Sequence, residues 1–307
     1  MKKKRKQLIK GMGSTILLIL MAFLVNLYNT QRDNEQETLT NLPNGTDIVN
    51  VHFIDVGQGD AILVESGDAT MLIDAGENNK GDLVIDYLKS QNITKLDYVI
   101  GTHPHSDHIG GLDLVINAFK IHTLIMPDAM NTTKTFEDVI DAIETNNLQI
   151  TKAKVGNQYD IGPASFTILA PNSSEYEELN NYSVVIKLTY GSNSFLLTGD
   201  AEALSEREML ENGYDLSADV LKTAHHGSAY SGTEEFLDEV NPTHAIISVG
   251  KDNGYGHPHT ETLQSMLDYN ISLYRTDIQG SVVFTSDGQN LSVNTKSYEV
   301  TDSDLNK

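Results

Sequence analysis

The sequence predicts an α/β domain, on three observations. Short runs rich in Val, Ile and Leu recur from residue 49 to residue 285, punctuated by Gly, Asp and Asn, as strands and turns require. Between some of these runs the apolar residues fall at helical spacing instead, so strands and helices alternate. A loop dense in imidazole and carboxylate, His103-Pro104-His105-Ser106-Asp107-His108, opens directly after the short apolar run 98–100, as a site loop leaves a buried strand.

In chain order, residues 49–56, 61–66 and 70–74 read as three strands. Gly57-Gln58-Gly59-Asp60 makes the first turn, and Gly67-Asp68 makes a hairpin. Asp74-Ala75-Gly76 ends the third strand. Leu83, Tyr87 and Leu88 mark a first helix, the strand 98–100 leads into the histidine loop, and 112–119 continues as helix. Residues 124–126 form a strand stopped by Pro127. Phe136, Val139, Ile140 and Ile143 define an amphipathic helix with its apolar stripe inward. Strands return at 149–155, 165–169, 183–190 and 194–198, the last ending in Thr198-Gly199-Asp200 ahead of a helix over 202–211. The strand 220–224 runs into His225-His226-Gly227-Ser228. Adjacent histidines on a strand face opposite sides, so one of His225 and His226 meets the site and the other meets substrate or core. Lys222, four before His226, points to the same side. A helix over 233–240, a strand over 244–249 and a rigid Gly- and Pro-rich turn carrying His257 and His259 follow. Thr260 caps the next helix, and strands 271–275 and 281–285 close the domain. His52 and His122 read as structural.

Charge is uneven. Of 21 Lys and Arg, six lie in residues 1–10, which leaves 15 against 43 Asp and Glu in the rest of the chain. Such an acidic body is a poor general binder of polyanions, because affinity for nucleic acid comes largely from Lys and Arg on phosphates. A local basic groove is compatible with that balance. There is no cysteine, which rules out disulfides and thiolate metal sites. Residues 11–31 carry no charge, a length that spans a bilayer at roughly 20 residues needed. A basic cluster before such a run reads as a signal-anchor over 1–31, or a signal peptide if cleaved. The positive-inside rule keeps the N-terminus in the cytoplasm and places the body outside, anchored in the cell membrane by a single pass or secreted. Residues 32–47 read as a polar linker, 48–295 as the domain and 296–307 as a polar tail.

Imidazole nitrogen and carboxylate oxygen are ligands for zinc, manganese and iron. In extended backbone His103 and His105 point to one side, while Asp107 and His108 diverge, so one loop can supply two metals. This His-x-His-x-Asp-His pattern resembles the signature of the metallo-β-lactamase fold. Val51-His52-Phe53-Ile54-Asp55-Val56-Gly57-Gln58-Gly59-Asp60-Ala61 and Leu221-Lys222-Thr223-Ala224-His225-His226-Gly227-Ser228 narrow the resemblance to the metallo-hydrolase domain of ComEC competence proteins, over about residues 48–295.

The resemblance implies a four-layer αββα sandwich and two divalent ions, zinc or manganese, bridged by Asp200. It implies that Asp74 and Asp60 orient the metal loop and that His257 and His259 lie beside the site. His103, His105 and Asp200 would form one metal site. Asp107, His108, Asp200 and one of His225 and His226 would form the other. Many members of the fold have a further histidine before the bridging aspartate, where this chain has Asn180-Asn181-Tyr182-Ser183. Asn181 and Ser183 then contact bound water or substrate, as does Ser228. An oxygen-richer site tilts the metal towards manganese.

The implied reaction is hydrolysis by a bridging hydroxide. Asp107 orients the nucleophile, and Lys222 or His257 stabilises charge or donates a proton. Three functions fit: a phosphodiesterase, including a ComEC-like nuclease on single-stranded DNA; a hydrolase of a lactone or of choline-phosphate esters on surface polymers; or a metal-binding module without turnover.

Overall fold

The computed structural model describes residues 48–306. The segments expected over 1–31 and 32–47 lie outside the described residues. Among the described residues no helix is long and apolar enough to cross a membrane.

The chain begins with β1 (Val49–Phe53), β2 (Ile62–Ser66), β3 (Ala69–Ile73), β4 (Lys95–Ile100), β5 (Lys120–Met126) and β6 (Ile150–Lys152). It continues with β7 (Gln158–Ile161), β8 (Ala164–Ala170), β9 (Val185–Tyr190), β10 (Asn193–Leu197), β11 (Val220–Lys222), β12 (His244–Ile247) and β13 (Ser272–Arg275), and ends with β14 (Val282–Ser286) and β15 (Leu291–Val293). One sheet has the order β15-β14-β1-β2-β3-β4-β5-β6 and the other β13-β12-β11-β10-β9-β8-β7. Both are mixed. Pairing is parallel from β3 to β6 and from β10 to β13, and antiparallel elsewhere.

Strand alternation builds the layers. Along β2, Ile62 and Val64 enter the core shared by the two sheets, while Leu63 enters the core under the first set of helices. The shared core joins Val51 and Phe53 to Phe166, Leu188 and Phe195, and Phe284 stacks edge-on to both Phe53 and Phe195 at 5.9 and 6.2 Å. Each such buried side chain contributes about 1.5–3 kcal/mol. Outside the first sheet, Val84 and Leu88 of the helix Gly81–Ser90, Val115 of Leu112–Ala118 and Val139 of Lys134–Thr145 pack on Leu72, Leu96 and Val99. Outside the second, Met209 of Ala203–Asn212, Phe236 of Glu234–Val240 and Leu263 of Thr260–Asp268 pack on Leu196, Leu221 and Ala245. Helices therefore cover both outer faces of a two-sheet sandwich.

Several sequence expectations need correction. The strand beginning at 220 stops at Lys222, and Ala224–Gly227 is a tight 3-10 turn with both His225 (φ 49°) and His226 (φ 55°) left-handed. The alternation expected of a strand therefore does not apply to these two histidines. Thr260 is the first residue of its helix rather than its cap, a place taken by His259. β7 and β15 are short and largely polar, too weak in pattern to read. The polar tail packs back on the domain: Tyr298 pairs with Leu273, Arg275 lies 5.1 Å over the Tyr298 ring, and Thr301 and Asp304 form a capping box.

The parallel arrangement positions the site. Asp74 follows β3, Thr102 and His103 follow β4, Asp200 follows β10, His226 follows β11 and Ser248 follows β12. Ligands of α/β sheets gather outside the carboxyl ends of parallel strands, and here the ends of two sheets contribute to one point.

Candidate metal centre

The turns that carry the site residues are set by glycine and by buried hydrogen bonds. A Cβ on Gly59 (φ +119°) would stand 2.1 Å from the Asp107 carbonyl oxygen, so only glycine lets the 57–60 turn approach the histidine loop. The Asp60 N–H then donates to that same oxygen at 3.1 Å. Gly199 (φ +52°) turns the chain so that the Asp200 N–H donates to Ser183 Oγ at 3.0 Å. Asp74 is itself left-handed (φ 58°), and its carboxylate accepts from Thr102 N at 2.8 Å and Thr102 Oγ1 at 2.6 Å, which ties β3 to the start of the histidine loop.

Asp200 Oδ2 is the point of convergence. His108 Nε2 lies 3.1 Å away, His226 Nε2 3.4 Å, His225 Nε2 3.9 Å and His103 Nε2 4.0 Å. Asp107 Oδ2 lies 3.2 Å from His226 Nε2. One potential ligand atom each from Asp107, His108, Asp200 and His226 falls within 4.8 Å of all the others.

The ring nitrogens on the far side decide how this cluster can be satisfied. His108 Nδ1 is 2.8 Å from Asp74 Oδ2, and His226 Nδ1 is 2.9 Å from the Ser248 carbonyl oxygen. Both partners accept only, which assigns the proton to each Nδ1 and a lone pair to each Nε2. These two Nε2 atoms face each other at 3.3 Å, and His103 Nε2 faces His105 Nδ1 at 3.0 Å. Opposed lone pairs need a shared positive charge. Asp200 Oδ1 is also buried without a hydrogen bond. Metal-ligating histidines characteristically donate their second ring N–H to a carboxylate or carbonyl, as His108 and His226 do here. The donor set therefore fits divalent cations.

The field agrees. Burial alone would depress His226, but Asp200, then the hydrogen bond to Asp107, push it up to about 10. Burial likewise opposes the charge on His108, yet Asp200, Asp107 and Asp74 raise it well above the usual imidazole value. For Asp107 and Asp200, burial works against ionisation and the facing histidines outweigh it, so both carboxyls lie below the ordinary range. His103 is depressed by burial and then by His108. The pocket favours positive charge at the Nε2 positions, which protons supply when no metal is bound and a divalent ion can supply in their place.

The sequence matches the Metallo-beta-lactamase superfamily over residues 54–251. The chain belongs to that superfamily. Within it, the chain is 33% identical over 252 residues to ComE operon protein 3 of Bacillus subtilis (strain 168), covering 76% of this chain and 32% of that protein. It is 31% identical over 237 residues to Recombination protein 2 of Haemophilus influenzae, covering 76% and 28%. It thus spans about a third of the length of these relatives, which agree with a ComEC-like metallo-hydrolase domain. Among solved structures, the metallo-beta-lactamase fold protein YhfI from Bacillus subtilis shares the fold with a TM-score of 0.52 at 16% identity, over 78% of this chain and 100% of that one.

Not every residue singled out from sequence reaches the centre. Asp60 does: it is buried beneath the cluster, with Oδ1 3.6 Å from His226 Nδ1 and Oδ2 3.9 Å from His108 Nδ1. Lys222 is fully buried and does not line the cavity. Its Nζ sits 3.0 Å from Asp60 Oδ2 and donates to the Thr223 carbonyl at 2.7 Å, so it faces Asp60 rather than the cavity. Asn181 faces away, its Oδ1 accepting from Glu202 N and Ser205 N at the start of a helix. Its neighbour Asn180 lines the cavity instead, with Nδ2 2.8 Å from Glu202 Oε1 and 3.4 Å from His225 Nδ1. Ser183 lies between Asp200 N and His103 Nδ1. Ser228 accepts from Tyr230 N and lines a separate cavity, and His259 accepts from Ala229 N while its ring meets His257 edge-on. His257 lines the cavity over the cluster, together with Gln58, His105 and Tyr255. His52 lies away from the cluster, between Glu65 and Tyr87. Glu202, which holds His225 Nδ1 at 3.3 Å, gave no sequence signal beyond its place two residues after Asp200.

The geometry separates the adjacent histidines. His226→Ala should lower the content of divalent ion, measured by elemental analysis, whereas His225→Ala should leave it close to wild type. Equal losses would contradict the assignment of His226 to the centre.

Proposed function

We propose that the chain is a metal-dependent phosphodiesterase acting on nucleic acid. The observation that supports this is Asp200 Oδ2, on which His103, His108 and His226 converge, with Asp107 beside His226 and His105 beside His103. Asn180 joins His105, His225, His226 and His257 in the wall of a cavity of about 290 Å³. Such a two-sided centre suits a phosphodiester, whose two non-bridging oxygens can engage both halves, better than a lactone with one carbonyl oxygen. The names of the relatives, a recombination protein and a competence operon protein, support a polynucleotide substrate.

His103, His105 and Asp200 would hold one divalent ion, and Asp107, His108, Asp200 and His226 the other. When bound, such a pair lowers the pKa of water and offsets charge on a phosphodiester. The chain's own groups do the rest. Asp107, held as a carboxylate, is placed to accept a hydrogen bond from the attacking water and orient it. Asp74 and Ser248 fix the tautomers of His108 and His226. Burial, then His225 and His226, depress His257 to about 4, so at pH 7 it is neutral and offers substrate a hydrogen-bonding N–H rather than an ionised proton donor.

The test is turnover by the full chain, stripped by chelator and reloaded with manganese. Bis-p-nitrophenyl phosphate and single-stranded DNA should be cleaved only after reloading, with the activity abolished in His105→Ala. Cleavage of lactones or choline-phosphate esters with phosphodiesters untouched would replace this reading. Two ions bound with no turnover of any substrate would leave a metal-binding module.

A further inference from the structure

At the lip of the cavity stands an aromatic side chain that hydrolysis by itself does not use. Tyr255 lines the cavity yet is 66% exposed. Its ring stacks on His257, centroids 5.7 Å apart and planes at 24°. The turn that presents it is built. Asn253 Nδ2 donates to the carbonyls of Gly250 at 2.9 Å and His257 at 2.6 Å, and its Oδ1 accepts from Tyr255 N at 3.1 Å and His257 N at 3.0 Å. A Cβ on Gly254 or Gly256 would meet nothing within 4 Å, so the turn on either side of Tyr255 is itself uncrowded. A tyrosine left in water but fixed by these bonds over an active-site cavity contributes little to packing.

The same turn is continuous with the opposite wall. Gly250 N donates to Gln58 Oε1 at 3.2 Å, and Gln58 lines the cavity. Next to it, Lys80 Nζ lies 3.7 Å from where a Cβ on Gly57 would stand. In a strongly acidic body, Lys80 is a cation close to the Gly57 end of the 57–60 turn, outside the residues that line the cavity.

We propose that Tyr255 is a stacking platform for a nucleobase, taking on its outer face the base next to the phosphate held over the cluster, with Lys80 meeting a neighbouring phosphate. This deepens the phosphodiesterase reading and rests on it. Stacking of a base on an aromatic side chain changes affinity by about 5- to 150-fold and tolerates any base, since each has a π-face. Bases within a duplex have no such free face, so the platform selects single strands.

The experiment measures binding and cleavage separately on the manganese-loaded full chain. Binding is read by fluorescence anisotropy with phosphorothioate-linked oligothymidylate, which resists cleavage, and with an abasic oligomer of the same length and linkage. Wild type should bind the oligothymidylate about 10-fold more tightly. Tyr255→Ala should erase that preference and leave affinity for the abasic oligomer unchanged, while Tyr255→Phe keeps the preference. Tyr214→Ala, an exposed tyrosine lining a different groove, should change neither. Equal binding of the two oligomers by wild type, equal loss for both in Tyr255→Ala, or no binding of either overturns the platform. A base preference without cleavage of normal DNA would leave the platform standing and contradict the phosphodiesterase reading; cleavage without base preference would do the reverse.

Discussion

Asp200→Ala should lower phosphodiester turnover by about 10²–10³-fold or more, the scale on which removing one preorganised electrostatic group acts. The reason is specific to this residue. Its Oδ2 is the atom on which the Nε2 atoms of His103, His108, His225 and His226 converge, and in the proposed arrangement both ions would share it. The neighbouring carboxylates lie elsewhere: Asp107 approaches from the His226 side at 3.2 Å, Asp60 lies behind the rings, nearest their Nδ1 atoms, and Glu202 meets His225 Nδ1. The comparison is initial rates at saturating manganese, with circular dichroism to establish that the variant is folded. Turnover within a few-fold of wild type in a folded variant would remove Asp200 from the centre.

Lys222→Met should destabilise the fold by about 3–5 kcal/mol, the usual cost of leaving one partner of a buried ion pair without its counter-charge. Asp60 is 1% exposed and neither of its carboxylate oxygens has a hydrogen bond, so the ammonium 3.0 Å away is its principal compensation. The pair also joins the two halves of the sandwich, since Asp60 belongs to the turn between β1 and β2 and Lys222 ends β11. Adding Asp60→Asn to Lys222→Met should recover part of the loss, because the second change removes the stranded charge. Urea unfolding in the presence of chelator separates this from metal binding. A loss below about 1 kcal/mol for Lys222→Met would show that the carboxylate finds compensation elsewhere.

The contrast between these two residues shows what the sequence carried. Asp200 was legible because a carboxylate leaving an apolar strand through glycine is a local pattern, and the histidine loop was legible for the same reason. Lys222 was misread as a group facing substrate. Its position relative to His226 depends on the left-handed turn at His225 and His226, and no periodicity announces a backbone that leaves the strand after Lys222. Asn180 and Asn181 are equivalent in composition, and only the 3-10 turn Leu179–Tyr182 decides which one lines the cavity. The strands with strong apolar alternation were visible within a few residues. The weak edge strands β7 and β15 and the docked segment around Tyr298 depend on long-range contacts with little local signature.

The most direct measurement is the number of divalent ions held by the purified full chain, by elemental analysis after manganese loading and removal of free ion. Close to two ions per chain is the predicted result if, as proposed, two donor sets share Asp200. No retained ion after loading would contradict it, because the opposed imidazole lone pairs and the unpartnered Asp200 oxygen would then have to be satisfied by protons alone.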